Sequence, residues 1–245
     1  MNKQLMIYSS VVPVTRDQHG DLCFKSDNQF EFARSVNAVP LMLGEFQASA
    51  GEYAIVFAEA EGIPIPLVLF GITADSNFFV TEEGKWSGTY VPAFLRRWPF
   101  VFSSDATGET LTLCIDDTAP GFNREGRGER LFDAEGSPTT FTNRTMQFLH
   151  EYQMQDQLTR TFCKRLQELD LLQPVEARLE LGAAGPRTLT GLRIVNREKL
   201  RALNPEHLTE FMRNDWMEPI YLHLSSLHAL ERLREKAVTA LSGAN

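Results

Sequence analysis

The chain has 245 residues, of which 43% are hydrophobic and 23% charged, and this balance excludes an intrinsically disordered protein. Its formal net charge of −8 repels phosphate groups, so we expect neither nucleic-acid binding nor attraction to an anionic membrane surface. Three widely spaced cysteines, Cys23, Cys114 and Cys163, indicate free thiols in a reducing compartment rather than a disulfide framework.

The apolar runs of the sequence are too short for a membrane protein. The most apolar stretch, residues 63–72, falls well below the roughly 20 residues of a membrane span and is interrupted by Pro64 and Pro66. The first residues, MNKQLMIYSSVVPV, lack the apolar core that signal peptides use. We therefore expect a soluble, cytoplasmic protein without a membrane span.

The first half of the chain is predicted to consist of short strands separated by turns, because runs of β-branched and aromatic residues alternate with turn-forming residues. The predicted strands are residues 11–14, 22–24, 54–57, 67–72, 78–80 and 111–115. Residues 121–136 are dense in Gly, Arg, Glu and Asp, and this composition predicts a linker or mobile loop.

The second half is predicted to be mainly helical. Ser137 as N-cap and Pro138 at the first helical position predict the start of a long helix that ends before Pro174. The later predicted elements are a β-hairpin of residues 175–181 and 189–195, a short helix that starts at Asn204-Pro205, and a last helix from Asp215 whose apolar stripe reaches Leu233.

This order of elements, strands first and then helix, hairpin and helix, predicts an α+β fold. In this fold an N-terminal half of antiparallel strands packs with a C-terminal half of a long helix, a β-hairpin and a terminal helix. We expect one domain over residues 1–245. The alternative is a subdivision into a β-rich part, residues 1–120, and a helix-hairpin-helix part, residues 137–241.

The sequence contains none of the common catalytic or metal-binding motifs. Its five histidines form neither an HxH nor an HExxH pattern, so we expect no metal site and no cofactor. Asp116 and Asp117 are adjacent at the end of a predicted strand, where neighbouring side chains point to opposite faces. We therefore interpret them as a turn cap rather than an acid–base pair.

The most informative segment is residues 84–102, GKWSGTYVPAFLRRWPFVF, in which aromatic and basic side chains interleave. Pro92 and Pro99 bracket a predicted short helix. Arginine beside tryptophan and tyrosine suits a carboxylate, a phosphate or an aromatic guest. The alternative is a core helix whose arginines pair with the protein's own acids. The predicted ligand-binding residues are Tyr90, Arg96, Arg97 and Trp98.

This segment, YVPAFLRRWPF at residues 90–100, resembles the central motif of the SapC family, a group of bacterial proteins of about this length. Shorter matching blocks are residues 37–40, 55–57, 128–132, 159–163, 189–192 and 220–227. The resemblance therefore covers nearly the whole chain in order. The family takes its name from a surface-layer locus and is sometimes described as transport-related, which implies here a soluble accessory protein rather than a channel. It supplies no catalytic residues to carry over.

Three functional hypotheses follow. The first is a soluble accessory protein, linked to the surface layer or to peptide or protein export, that binds a protein, a peptide or a small anionic ligand through the aromatic-arginine segment. The second is an enzyme of unknown reaction whose pocket opens beside that segment, where Asp116, Asp117 or His19 would converge. The third is a structural partner in a surface assembly. The sequence leaves the oligomeric state open.

Overall fold

The computed structural model of the protein describes residues 6–60, 62–105 and 110–243. Helices make up 38% and strands 25%, and the sheets are antiparallel, which confirms the predicted α+β class. Over the described ranges, none of the helices combines the length and the apolar character needed to cross a membrane. The first five residues of the segment tested for a signal peptide lie outside the described ranges. All three cysteines are buried free thiols, as predicted.

The strands are short in the first half of the chain and long in the hairpin of the second half. In chain order they are β1 Val11–Pro13, β2 Cys23–Phe24, β3 Ala38–Pro40, β4 Ile55–Ala60, β5 Ile63–Leu69, β6 Phe100–Ser104, β7 Leu111–Asp116, β8 Phe122–Asn123, β9 Glu129–Arg130, β10 Leu172–Glu180 and β11 Pro186–Val195. The predicted strand at residues 78–80 does not form, and Val80 makes only an isolated bridge with Trp86.

The longest α-helix has 29 residues, and all α-helices before it have four residues. In chain order the α-helices are α1 Arg16–His19, α2 Phe46–Ser49, α3 Ala93–Arg96, α4 Thr140–Glu168, α5 Arg197–Arg201, α6 Pro205–Arg213, α7 Met217–Ser226 and α8 Ala229–Gly243. The short helix predicted between Pro92 and Pro99 is therefore confirmed as α3. The predicted single last helix is wrong, because Leu227 and His228 separate α7 from α8.

The start of the long helix α4 also differs from the prediction. Thr139 caps it, since its hydroxyl accepts a hydrogen bond from the Thr142 amide at 3.3 Å. Ser137 lies in the preceding turn, where its amide donates to the Asp133 carboxylate at 2.8 Å. Ser137 is therefore part of the turn that precedes the helix, and the N-cap is Thr139, two residues after the predicted one.

The chain divides into two compact units, each built from two chain segments: residues 1–33 with 94–154, and residues 34–93 with 155–245. The first unit contains the sheets β1-β7-β6 and β8-β2-β9. Its core includes Phe100, Ile115 and Leu131. The second unit contains one sheet of order β10-β11-β4-β5-β3, and its core includes Phe57 and Phe162. A single domain over the whole chain, or its subdivision at residues 120 and 137, stays a prediction.

Residues 121–136 are not the linker or mobile loop that their composition predicts. They supply β8 and β9, which pair with the two sides of β2. Gly128 has φ of +88°, and a Cβ built there would lie 2.3 Å from the Phe24 carbonyl oxygen. Glycine is required here because the backbone is left-handed and passes directly over β2. Gly128 therefore serves close backbone packing in the first unit.

Candidate functional site

Tyr90, the first predicted site residue, belongs to the second unit, where its side chain is held by a buried acid. Glu45 is only 7% exposed, and its Oε1 accepts hydrogen bonds from the Tyr90 hydroxyl and the Ala93 amide, both at 2.7 Å. Its Oε2 accepts one from the Met42 amide at 2.9 Å. A buried carboxylate needs such donors to offset its lost hydration. Glu45 therefore ties the start of the motif to the turn before α2.

The backbone around Tyr90 is held as firmly as its side chain. Glu52 accepts hydrogen bonds from the amides of Thr89, at 2.8 Å, and Tyr90, at 3.1 Å. The Tyr90 carbonyl accepts from the Tyr53 hydroxyl and, at 3.0 Å, from the Trp86 indole nitrogen. Burial raises the pKa of Tyr53 well above its ordinary value, so this hydroxyl remains a donor. Every polar backbone group of Tyr90 is thus used within the second unit.

Arg97, in the first unit, lies in the core rather than in a binding groove. It is 3% exposed, and its guanidinium carbon lies 4.3 Å from the Phe94 ring centroid, 4.9 Å from that of Tyr152 and 5.7 Å from that of Tyr8. The negative faces of aromatic rings attract a guanidinium most strongly where water is excluded. We call these three rings the Arg97 cage. Within the first unit, Arg97 therefore packs against the rings of this cage in the core.

Tyr8 connects this cage to the neighbouring strand. Its hydroxyl donates to the Phe100 carbonyl oxygen at 2.7 Å. Burial raises the pKa of Tyr8 well above its ordinary value, although the nearby Arg97 charge acts in the opposite direction. The phenol therefore stays neutral, and it fixes one wall of the cage to β6.

Arg96, the last residue of α3, is exposed, in contrast to its neighbour. Its guanidinium carbon lies 5.3 Å from the ring centroid of Phe148, a half-buried residue of α4. Trp98 is half-buried and stacks on Phe32 with ring centroids 4.0 Å apart and an interplanar angle of 14°. Among the described residues, the buried indole nitrogen of Trp98 has no hydrogen-bond partner. The first unit therefore contains three of the four predicted residues, of which only Arg96 is fully at the surface.

The residues that the enzyme hypothesis requires are used for turns. The Asp116 carboxylate accepts hydrogen bonds from the Ser9 amide and the Thr118 hydroxyl, both at 2.7 Å. Burial alone would raise its pKa, but these hydrogen bonds outweigh burial and the pKa of Asp116 is lowered. Asp117 is exposed, and His19 Nδ1 accepts from the Thr15 amide at 3.1 Å. The turn-cap interpretation of Asp116 therefore agrees with its geometry.

His223, which the sequence marks only as one histidine among five, joins two strands of the second unit. Its Nε2 accepts from the Val195 amide at 3.1 Å, and its Nδ1 lies 2.8 Å from the Ile55 carbonyl oxygen. The Ser226 hydroxyl accepts from the Ile55 amide at 2.9 Å. Burial lowers the pKa of His223 to about 4, so the imidazole is neutral, and the Val195 contact assigns its proton to Nδ1. Two blocks of the family resemblance, residues 55–57 and 220–227, meet at this network.

No group of three histidine, cysteine, aspartate or glutamate residues in the described ranges is arranged to hold a metal ion. Sequence reasoning missed a different feature, a cleft in the second unit beside Tyr53. Two basic residues of α8, Arg232 and Lys236, line this cleft together with Glu52. The signal that could have found it is the spacing of these two basic residues, which places them on one face of a helix.

Together, these features define an α+β protein with an aromatic-arginine segment that is largely built into its own core and leaves one arginine exposed. The chain belongs to the SapC family, whose model matches residues 14–233, and the resemblance of the sequence is thereby confirmed. Comparisons with curated proteins and with solved structures found no match.

Proposed function

We propose that this SapC-family protein is a soluble accessory protein that binds a partner through Arg96. The partner is a protein, a peptide or a small ligand that presents an anionic group. The observation that supports the proposal is the contrast between adjacent arginines: Arg96 is exposed, whereas Arg97 is 3% exposed within its cage. An arginine at the surface of a rigid short helix is well suited to binding a carboxylate.

The ring of Phe148 supports this role of Arg96. A guanidinium that lies against an aromatic ring loses less side-chain freedom when it binds, because part of its motion is already restricted. The same guanidinium can present two parallel N–H groups to a carboxylate. Phe148 is half-buried, so it also offers apolar contact area to a partner.

The other three predicted residues then have supporting roles. Arg97 fixes the chain directly after α3 through its cage, and Trp98 does so through its stacking on Phe32. Tyr90 anchors the start of the motif through Glu45. In this proposal these three residues have structural roles, Arg96 contacts the partner, and the protein acts by binding rather than by catalysis.

The wider setting of this proposal comes from the family. The name of the SapC family favours a link to the surface layer or to peptide and protein export. We propose that the protein takes part on the cytoplasmic side, as one SapC-like domain over residues 1–245. The net charge of −8 favours a partner whose anionic group is local rather than a polyanion such as nucleic acid.

The test is native mass spectrometry of the protein purified from its own cells after crosslinking. We would compare the unchanged protein with Arg96→Ala, Arg96→Lys and, as a matched control, Arg144→Ala, an exposed arginine of α4 in the same unit. We expect one stoichiometric partner or retained molecule that is lost in Arg96→Ala, reduced in Arg96→Lys and kept in Arg144→Ala. Equal retention in all four proteins, or none in the unchanged one, would reject Arg96 as the contact.

A further inference from the structure

The cleft in the second unit has a largely apolar lining. Its volume is about 120 Å³, and Ala54, Leu69 and Leu233 line it together with the rings of Tyr53 and Phe79. Cavities of about 150 Å³ lined by apolar side chains are large enough for a benzene-sized guest. This cleft can therefore hold an apolar group of about four or five carbons.

Two cations are among the residues that line this cleft. Arg232 and Lys236 are four residues apart on α8, so their side chains lie on the same helix face and repel each other. The Lys236 ammonium lies 4.7 Å from the ring centroid of Phe79, and no carboxylate pairs with it among the residues that the structure describes. A bound anion would relieve the repulsion between the two cations.

Arg232 has N–H groups that its described hydrogen bonds do not use. Its described hydrogen bonds, to the Gly51 carbonyl and to His228 Nε2, both use Nη2. The bond to Gly51 holds the guanidinium beside the cleft, while a guanidinium has five N–H groups in total. A carboxylate is the anion whose two oxygens match this flat arrangement of donors.

Glu52 limits the charge of the ligands that the cleft can bind. Glu52 lines the same cleft, and its carboxylate accepts hydrogen bonds from the amides of Thr89 and Tyr90. The carboxylate of Glu52 and the two cations, Arg232 and Lys236, give the cleft a net charge of about +1. This charge favours a monoanion and disfavours a dianion such as phosphate. The apolar lining residues likewise disfavour a fully polar ion, since they offer phosphate oxygens no hydrogen bonds.

We infer that this cleft is a binding site for a monocarboxylate that carries a short branched or aromatic apolar group. The carboxylate binds Arg232 and Lys236, and the apolar group packs against the rings of Tyr53 and Phe79, which line the cleft side by side. This site is separate from the one proposed at Arg96, because all its residues belong to the second unit. Two sources have this chemistry: a free small acid, and the C-terminal carboxylate of a chain that ends in a residue such as valine.

The experiment measures binding by calorimetry with five probes. They are isovalerate, isovaleramide, inorganic phosphate, and a pentapeptide that ends in valine with a free or with an amidated C-terminus. The variants are Lys236→Met and Arg232→Met, with Lys164→Met as the matched control on the exposed face of α4. Thermal unfolding of each variant checks that it is folded. Arg232→Met loses the hydrogen bond to the Gly51 carbonyl and could fail to fold. In that case Lys236→Met alone still tests the site.

We expect isovalerate to bind with a Kd of about 1 mM, as a ligand of so few atoms should, and isovaleramide and phosphate to bind at least about tenfold more weakly. Lys236→Met should weaken isovalerate binding about tenfold, whereas Lys164→Met and Arg96→Ala should leave it unchanged. Tighter binding of the free-acid peptide than of isovalerate identifies a chain terminus as the source, and the reverse order identifies a small acid.

Three results would overturn the inference. The first is no binding of isovalerate or the free-acid peptide at about 10 mM. The second is that isovaleramide or phosphate binds as tightly as isovalerate, which would show that the site does not recognise a carboxylate. The third is unchanged binding in folded Lys236→Met protein. None of these results bears on Arg96, so the failure of this site and the failure of the proposed function can be told apart.

Discussion

The carboxylate of Glu45 accepts a hydrogen bond of 2.7 Å from the hydroxyl of Tyr90, which lies 45 residues further along the chain. This contact makes Tyr90 a link between the turn before α2 and the start of the aromatic-arginine motif. The same carboxylate oxygen also accepts the Ala93 amide, at the first residue of α3. A tyrosine that the sequence predicts to bind a ligand therefore makes a structural contact with a buried acid within the second unit.

The first prediction concerns this buried acid. Glu45→Gln should lower the free energy of unfolding by about 1–3 kcal/mol, because the carboxylate accepts three hydrogen bonds that an amide cannot accept equally well. Tyr90→Phe should cost less, about 1 kcal/mol, since it removes only one of them. Urea unfolding of both single variants and the double variant measures their coupling energy. Additive effects would show that the Glu45–Tyr90 bond does not contribute to stability.

The second prediction separates the two adjacent arginines. Arg97→Ala should destabilise the protein by about 2–4 kcal/mol, because it empties the cage formed by Phe94, Tyr152 and Tyr8. Arg97→Met should cost less than Arg97→Ala, since methionine keeps much of the packing of the side-chain stem while the cation–π contacts are lost.

Arg96→Ala serves as the comparison and should change stability by no more than about 0.5 kcal/mol, as expected of an exposed side chain. Chemical denaturation followed by tryptophan fluorescence measures all three variants. If Arg97→Ala were as stable as Arg96→Ala, the cage could not be a source of stability, and the interpretation of Arg97 as a packing residue would be wrong.

The third prediction is a pH dependence that arises from His223. Its pKa is about 4 in the folded protein and about 6.5 when unfolded, so the unfolded state binds the extra proton first as pH falls. The stability contributed by the neutral imidazole is therefore complete above about pH 7 and is lost between about pH 6.5 and 4. The full loss corresponds to about 3 kcal/mol.

The measurement is the free energy of unfolding at several pH values between 7 and 4.5 for the unchanged protein, for His223→Gln and for the exposed-histidine control His150→Gln. His223→Gln should be less stable at neutral pH but should show a smaller decrease as pH falls, because glutamine does not titrate. The control should keep the decrease seen in the unchanged protein. The same slope in His223→Gln would assign the pH dependence to other groups.

The fourth prediction tests the packing of residues 121–136. Gly128 and Gly126 both have positive φ, of +88° and +74°, but only Gly128 has backbone atoms where a Cβ would lie. Gly126→Ala should therefore cost about 1 kcal/mol from backbone strain alone. Gly128→Ala should cost at least about 2 kcal/mol, because its Cβ also meets the Phe24 carbonyl. Thermal unfolding and hydrogen exchange of the Phe24 region measure the difference, and equal costs would argue against close packing at β2.

Much of the fold could be predicted because it depends on local patterns. The hairpin of β10 and β11 follows from alternating residues around a glycine-containing turn, and α6 follows from Asn204-Pro205, whose asparagine caps the helix at the His207 amide. Predictions from such local patterns are wrong where a residue makes a different hydrogen bond with a neighbouring turn. Serine is a common N-cap residue, but the Ser137 amide donates to the Asp133 carboxylate in the preceding turn. The helix α4 therefore begins at Thr140.

The sequence by itself determined the α+β class, the short helix between Pro92 and Pro99 and the membership of the SapC family, because these depend on backbone periodicity, turn residues and the order of matching blocks. Only the tertiary structure decided that Arg97 is buried and Arg96 exposed. Neighbours on a helix differ in direction by about 100°, and which of them meets the core depends on rings such as Tyr152, which is distant in sequence. The cleft beside Tyr53 likewise exists only because α8 packs near residues 52–54, a contact between segments that no local pattern encodes.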